Sequence, residues 1–76
     1  MSQVETEEVF GPIVRIDTRN RTVTVGDTLV HFRHGLFHQV LEHFVVGRYV
    51  TLEYRMDAMG LRHAKSVVGR VNPYVI

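Results

Sequence analysis

The sequence predicts an all-β chain: a five-stranded barrel with one short helix between the third and fourth strands. Three observations carry this. Much of the 76-residue chain alternates apolar and polar side chains or runs β-branched, the pattern of strands with one buried face. Turn-forming residues punctuate these runs at Thr18-Arg19-Asn20-Arg21, Gly26-Asp27 and Asp57-Ala58-Met59-Gly60. Residues 35–44 alone carry helical spacing, with Leu36, Phe37, Val40, Leu41 and Phe44 on one face and Gln39, Glu42 and His43 between them.

The elements follow in order. Val9 to Asp17 reads as the first strand, with Gly11-Pro12 marking an edge or a bend. Alternation sets Val14 and Ile16 on one face and Arg15 and Asp17 on the other. Asn20 is the residue of the next turn best able to take a positive φ. Thr22 to Val25 alternates as a second strand, with its valines toward the core, and Thr28 to Arg33 forms a third. A glycine turn is expected at Gly35, then the amphipathic helix, closed near Gly47. Tyr49 to Met56 places Val50, Leu52 and Tyr54 on one face of a fourth strand, and residues 57–60 form a hairpin loop. Leu61 to Val71 is the fifth strand, stopped by Asn72-Pro73. Three strands, a helix and two strands is the order of the OB-fold, a partly open Greek-key barrel. An SH3-like barrel lacks a helix at that position. Val30, Phe32, Val50 and Leu52 are expected in one core, with Phe37, Val40, Leu41 and Phe44 packed beneath the barrel mouth.

This length is one domain, in which residues 9–71 make the barrel. Residues 1–8 are expected as a flexible acidic tail and residues 72–76 as an apolar one whose Tyr74, Val75 and Ile76 need a contact. The absence of cysteine excludes disulfides and thiolate chemistry, and no apolar run reaches the roughly 20 residues of a membrane span. The first residues lack the basic start and apolar stretch of a signal peptide, so a cytoplasmic location is expected. Net charge is only +1, but residues 1–8 hold three of the eight acidic residues. The rest of the chain sets nine basic against five acidic side chains, a net +4, and eight of the nine are arginine. Arginine suits phosphate contact and base stacking better than lysine does.

Asp27-Thr28-Leu29-Val30-His31-Phe32 ends an apolar strand in an adjacent His-Phe pair. It resembles the second nucleotide-binding motif of cold-shock domains, roughly Asp-Val-Phe-Val-His-Phe. Gly11-Pro12-Ile13-Val14-Arg15-Ile16-Asp17 stands where that family has Gly-x-Val-Lys-Trp-Phe, and Arg21-Thr22-Val23-Thr24-Val25 where it has Lys-Gly-Phe-Gly-Phe. Val46-Gly47-Arg48-Tyr49-Val50-Thr51-Leu52 is similar to Glu-Gly-Gln-x-Val-x-Phe, and Gly60 to Val67 to Gly-Pro-x-Ala-x-Asn-Val. The likeness spans roughly residues 10–70 in the family's order. It implies binding of single-stranded RNA or DNA by stacking of bases on exposed rings. Of the family's stacking positions the chain keeps His31 and Phe32, while Leu29 replaces the first Phe of the second motif. Stacking is worth about 1–3 kcal/mol per base, so weak binding with little sequence specificity is expected.

The expected interface is therefore His31 and Phe32 for stacking, with Leu29 beside them, and Arg15, Arg19, Arg21, Arg33 and Lys65 on phosphates. The alternative is a protein-interaction or oligomerisation module on the same barrel, its partner another protein or a second copy. Neither reading involves a membrane. His34 and His38 are spaced i,i+4, as a zinc-binding pair can be, but no third ligand stands at a matching spacing and no metal or cofactor is expected. No glycine-rich phosphate loop or supported nucleophile motif is present, so no enzyme activity is expected.

Overall fold

A computed structural model describes residues 6–68, with the side chains of 66–68 left aside. The strands are β1 (Glu7–Asp17), β2 (Thr22–Val25), β3 (Thr28–His31), β4 (Tyr49–Met56) and β5 (Arg62–Val68), and helix α1 (His34–Leu41) lies between β3 and β4. They close a barrel in the order β1-β2-β3-β5-β4, consistent with an OB-like barrel. Every pairing is antiparallel except β3 with β5, which run parallel and meet at His31 and His63.

The long first strand serves two neighbours. Its N-terminal half pairs with β4, from Glu7 opposite Tyr54 to Pro12 opposite Tyr49, and its C-terminal half pairs with β2. Proline has no N–H to give to a ladder. Pro12 lies where β1 passes from one partner to the other, and its carbonyl accepts from the Gly26 amide at 2.9 Å. The expected bend at Gly11-Pro12 is thus the corner of the barrel.

Ile13, Val23, Val25, Val30 and Leu52 are fully buried, joined in the core by Phe32, Val50, Tyr54 and Ala64. The four residues expected to share a core do so, and Val23 and Val25 face inward. A helix as short as α1 has little stability of its own in water. Phe37 and Phe44 anchor this segment in the core, with Leu36, Val40 and Leu41 packed against it.

Several local expectations are corrected. The register shifts between Ile13 and Arg15, so Val14 is a bulge residue and points outward, 52% exposed, beside Arg15. A bulge adds one residue and breaks the alternation that would have put Val14 with Ile16. Glu7 and Glu8 belong to β1, not to a flexible tail, and the Tyr54 hydroxyl donates to Glu7 Oε1 at 3.0 Å. β3 ends at His31, two residues before the expected boundary. Gly35 sits inside the first turn of α1, not in a separate glycine turn, and the helix ends at Leu41. Residues 1–5 and the expected tail at 72–76 lie outside the described residues.

The positive φ of the first turn falls on Arg21, at 56°, not on Asn20. Asn20 is held otherwise: its backbone N–H donates to Asp17 Oδ1 and its Nδ2 to Asp17 Oδ2. An L-residue with a Cβ pays about 1–2 kcal/mol in that region, offset in glycine by greater chain entropy when unfolded. Arg21→Gly is therefore expected to raise stability by up to about 1 kcal/mol, read from the thermal melting midpoint; a lower midpoint contradicts the strain.

Candidate nucleic-acid interface

Strand register assembles the outer surface. One row runs Arg15, Thr24, Leu29 across β1, β2 and β3. The next runs Asp17, Thr22, His31, His63, Arg55 through all five strands, with Thr22 itself buried between its neighbours. The parallel contact of β3 with β5 brings two histidines together, their ring centroids 5.7 Å apart and the planes tilted by 35°. Imidazole faces are among those on which unpaired bases stack.

The His63 ring is positioned by Asp57. His63 Nε2 lies 2.7 Å from Asp57 Oδ2, while Asp57 Oδ1 accepts from the Met59 and Leu61 amides at 2.8 and 2.9 Å. One carboxylate thus ties the β4–β5 loop and orients the imidazole. The His63 hydrogen bond, then the Leu61 amide, hold the Asp57 carboxyl below the usual aspartate range. A group with a depressed folded pKa contributes fully above its unfolded value, and that contribution is lost as pH falls through the folded one. The Met59 and Leu61 amide resonances are expected to titrate together in acid, with a midpoint below that of an unstructured aspartate. A midpoint at or above it contradicts the arrangement.

Where β3 and β5 part beyond His31 and His63, a cleft of about 380 Å³ opens, lined by Arg33, Arg55, Met56, Asp57, His63, Ala64 and Lys65. Three permanent cations stand there against one carboxylate, which His63 and two loop amides already engage. The cleft is thus positive and suits a phosphate. The half-exposed Met56 offers an apolar surface beside the charges.

The expected site residues fall into three groups. Arg15, Leu29 and His31 share the outer face of β1, β2 and β3, and Arg33 and Lys65 join it through the cleft. Arg19 and Arg21 are exposed in the β1–β2 turn, which the Phe32 amide ties to the end of β3 by donating to the Arg21 carbonyl at 2.9 Å. Phe32 is the correction. It is 5% exposed, and its ring packs edge-on against Phe37 and Phe44 at 5.9 Å each, so it is core and offers no face to a base. Arg55, Met56 and His63 were not expected. Their signal is non-local, because only the β3–β5 contact sets them beside His31.

His34 and His38 do face each other on α1, with ring centroids 4.6 Å apart. Among the described residues no group of three His, Asp or Glu side chains could hold a metal ion, and no helix is long and apolar enough to cross a membrane. Comparison with known proteins gives no match to any family model, curated protein or solved structure.

Proposed function

We propose that this protein binds single-stranded RNA or DNA weakly and with little sequence specificity, as a cold-shock-like domain of the cytoplasm. The observation that carries the reading is one juxtaposition. The tilted His31–His63 pair stands beside a cleft bearing Arg33, Arg55 and Lys65. Imidazoles and apolar Leu29 and Met56 take bases, and the cations take the backbone. A binding surface needs both parts, since stacking is sequence-tolerant and phosphate contact is sequence-blind. Two imidazoles in place of a full set of aromatic rings keep the affinity low.

Anisotropy of labelled oligo-U and oligo-dT at two salt concentrations tests this. Binding should appear at low salt and fall steeply as salt rises, by about 0.7 in the log–log slope for each phosphate neutralised. Absence of binding at low salt, or an affinity indifferent to salt, contradicts it.

A further inference from the structure

The histidine pair and its surroundings hold the parts of an acid–base site. Asp57 Oδ2 engages His63 at Nε2, 2.7 Å away, which leaves Nδ1 as the nitrogen that can meet a substrate. The other carboxylate oxygen is held by the Met59 and Leu61 amides, so the ring takes its orientation from the β4–β5 loop. The His31 ring lies against His63 across the parallel contact, with 5.7 Å between centroids. Among the described residues its side chain makes no hydrogen bond, so both of its nitrogens are available to a ligand. Arg33, Arg55 and Lys65 line the cleft next to the pair. A base, an acid oriented by a carboxylate and cations for developing charge are the requirements of transfer at phosphorus between two oxygens. The sequence has no local catalytic motif and predicts no enzyme; these groups come together only where β3 meets β5.

Resting on the reading that a single strand lies across this face, we propose that the protein cleaves RNA, with His31 as general base and His63 as general acid. Stacking uses the face of an imidazole, whereas proton transfer uses the nitrogens on its edge, so one ring serves both. His31 takes the proton of a ribose 2′-hydroxyl as that oxygen bonds to the adjoining phosphorus. The bond from phosphorus to the 5′-oxygen of the next nucleotide breaks, and that oxygen takes the proton that His63 gives up. One product ends in a 2′,3′-cyclic phosphate and the other begins with a 5′-hydroxyl. The step consumes no co-reactant, and proton exchange with water resets both rings. When protonated, the His63 ring is balanced by Asp57, the arrangement its acid role requires. The three cations meet the charge that gathers on the phosphate oxygens. DNA lacks the attacking 2′-hydroxyl, so it is bound and stays whole. Half of the His63 side chain is exposed, so water screens these charges and turnover is slow.

The test uses an end-labelled oligo-dT carrying one ribouridine, incubated with the full chain at low salt. The wild type should cut at that linkage alone and leave a 2′,3′-cyclic phosphate, identified by mass. The same strand with a 2′-O-methyl group should stay whole. His31→Ala and His63→Ala should each slow cleavage by about 100-fold or more. Phe10→Ser, on the outer wall formed by β1 and β4 and 69% exposed in the wild type, should cut at the wild-type rate. Asp57→Asn keeps an oxygen for the Met59 and Leu61 amides but sets an amide N–H against the imidazole. It should lower kcat by about tenfold or more with KM unchanged, which separates positioning from loss of fold. Anisotropy on the same samples reads binding separately. RNA that is bound but intact overturns cleavage and leaves the binding reading standing, whereas absence of binding overturns both. Cleavage equal in the wild type and both histidine variants comes from a contaminant and also overturns the proposal.

Discussion

Phe32→Ala is expected to unfold much of the population at room temperature. Phe32 closes the end of the barrel, packed edge-on against Phe37 and Phe44, and thereby fastens α1 and the segment after it to the strands. Replacing a buried phenylalanine by alanine costs about 3–5 kcal/mol, because lost burial and the remaining cavity add. A domain of this size sits near the lower end of the usual range of about 5–15 kcal/mol, so the change removes most of its stability. Phe32→Leu retains more of the volume and should cost less than about 1.5 kcal/mol. Compared with the wild type where both are folded, it should bind oligonucleotides equally well. A Phe32→Ala protein that melts like the wild type but loses affinity would return Phe32 to the binding surface.

The second large effect is expected at the cleft. Arg33→Ala, Arg55→Ala and Lys65→Ala together should flatten the log–log salt slope by about 2, at roughly 0.7 for each phosphate contact. At about 50 mM salt the loss of affinity should be on the order of 100-fold, and near molar salt it should shrink toward nothing. All three side chains are exposed, so each substitution should move stability by no more than about 0.5 kcal/mol. The anisotropy titration, repeated at several salt concentrations, checks this. An unchanged slope would move the phosphate contacts away from the cleft. The converse result, a slope lost only with Arg19→Ala and Arg21→Ala, would place them at the β1–β2 turn.

The fold was largely legible because its signals are local. β2 and β4 match the sequence reading residue for residue, since each alternates polar and apolar side chains in sequence; β4 also alternates in burial, while in β2 Thr22 is buried along with the two valines. β1 was harder. A strand that changes partners at Pro12 and bulges at Val14 carries two interruptions that no period-two pattern displays. The positive φ at Arg21 was hidden because Asn20, the better candidate, is occupied by Asp17. Phe32 was assigned two incompatible tasks, core residue and stacking ring. Strand alternation gave the first and the cold-shock likeness the second, and the packing against Phe37 and Phe44 decides for the core. The candidate site was half legible. His31, Arg33 and Lys65 could be named from sequence, but His63 and Arg55 reach them only through a parallel contact between distant strands.

The central claim is that single strands lie across the outer face of β2, β3 and β5. Its most direct test is an amide chemical-shift titration of the wild-type protein with oligo-U and oligo-dT at low salt. The predicted shifts centre on Leu29, His31, Arg33, His63 and Lys65, with Phe10 and Tyr49 unmoved. No shifts at saturating oligonucleotide, or shifts confined to the β1–β4 wall, would contradict it.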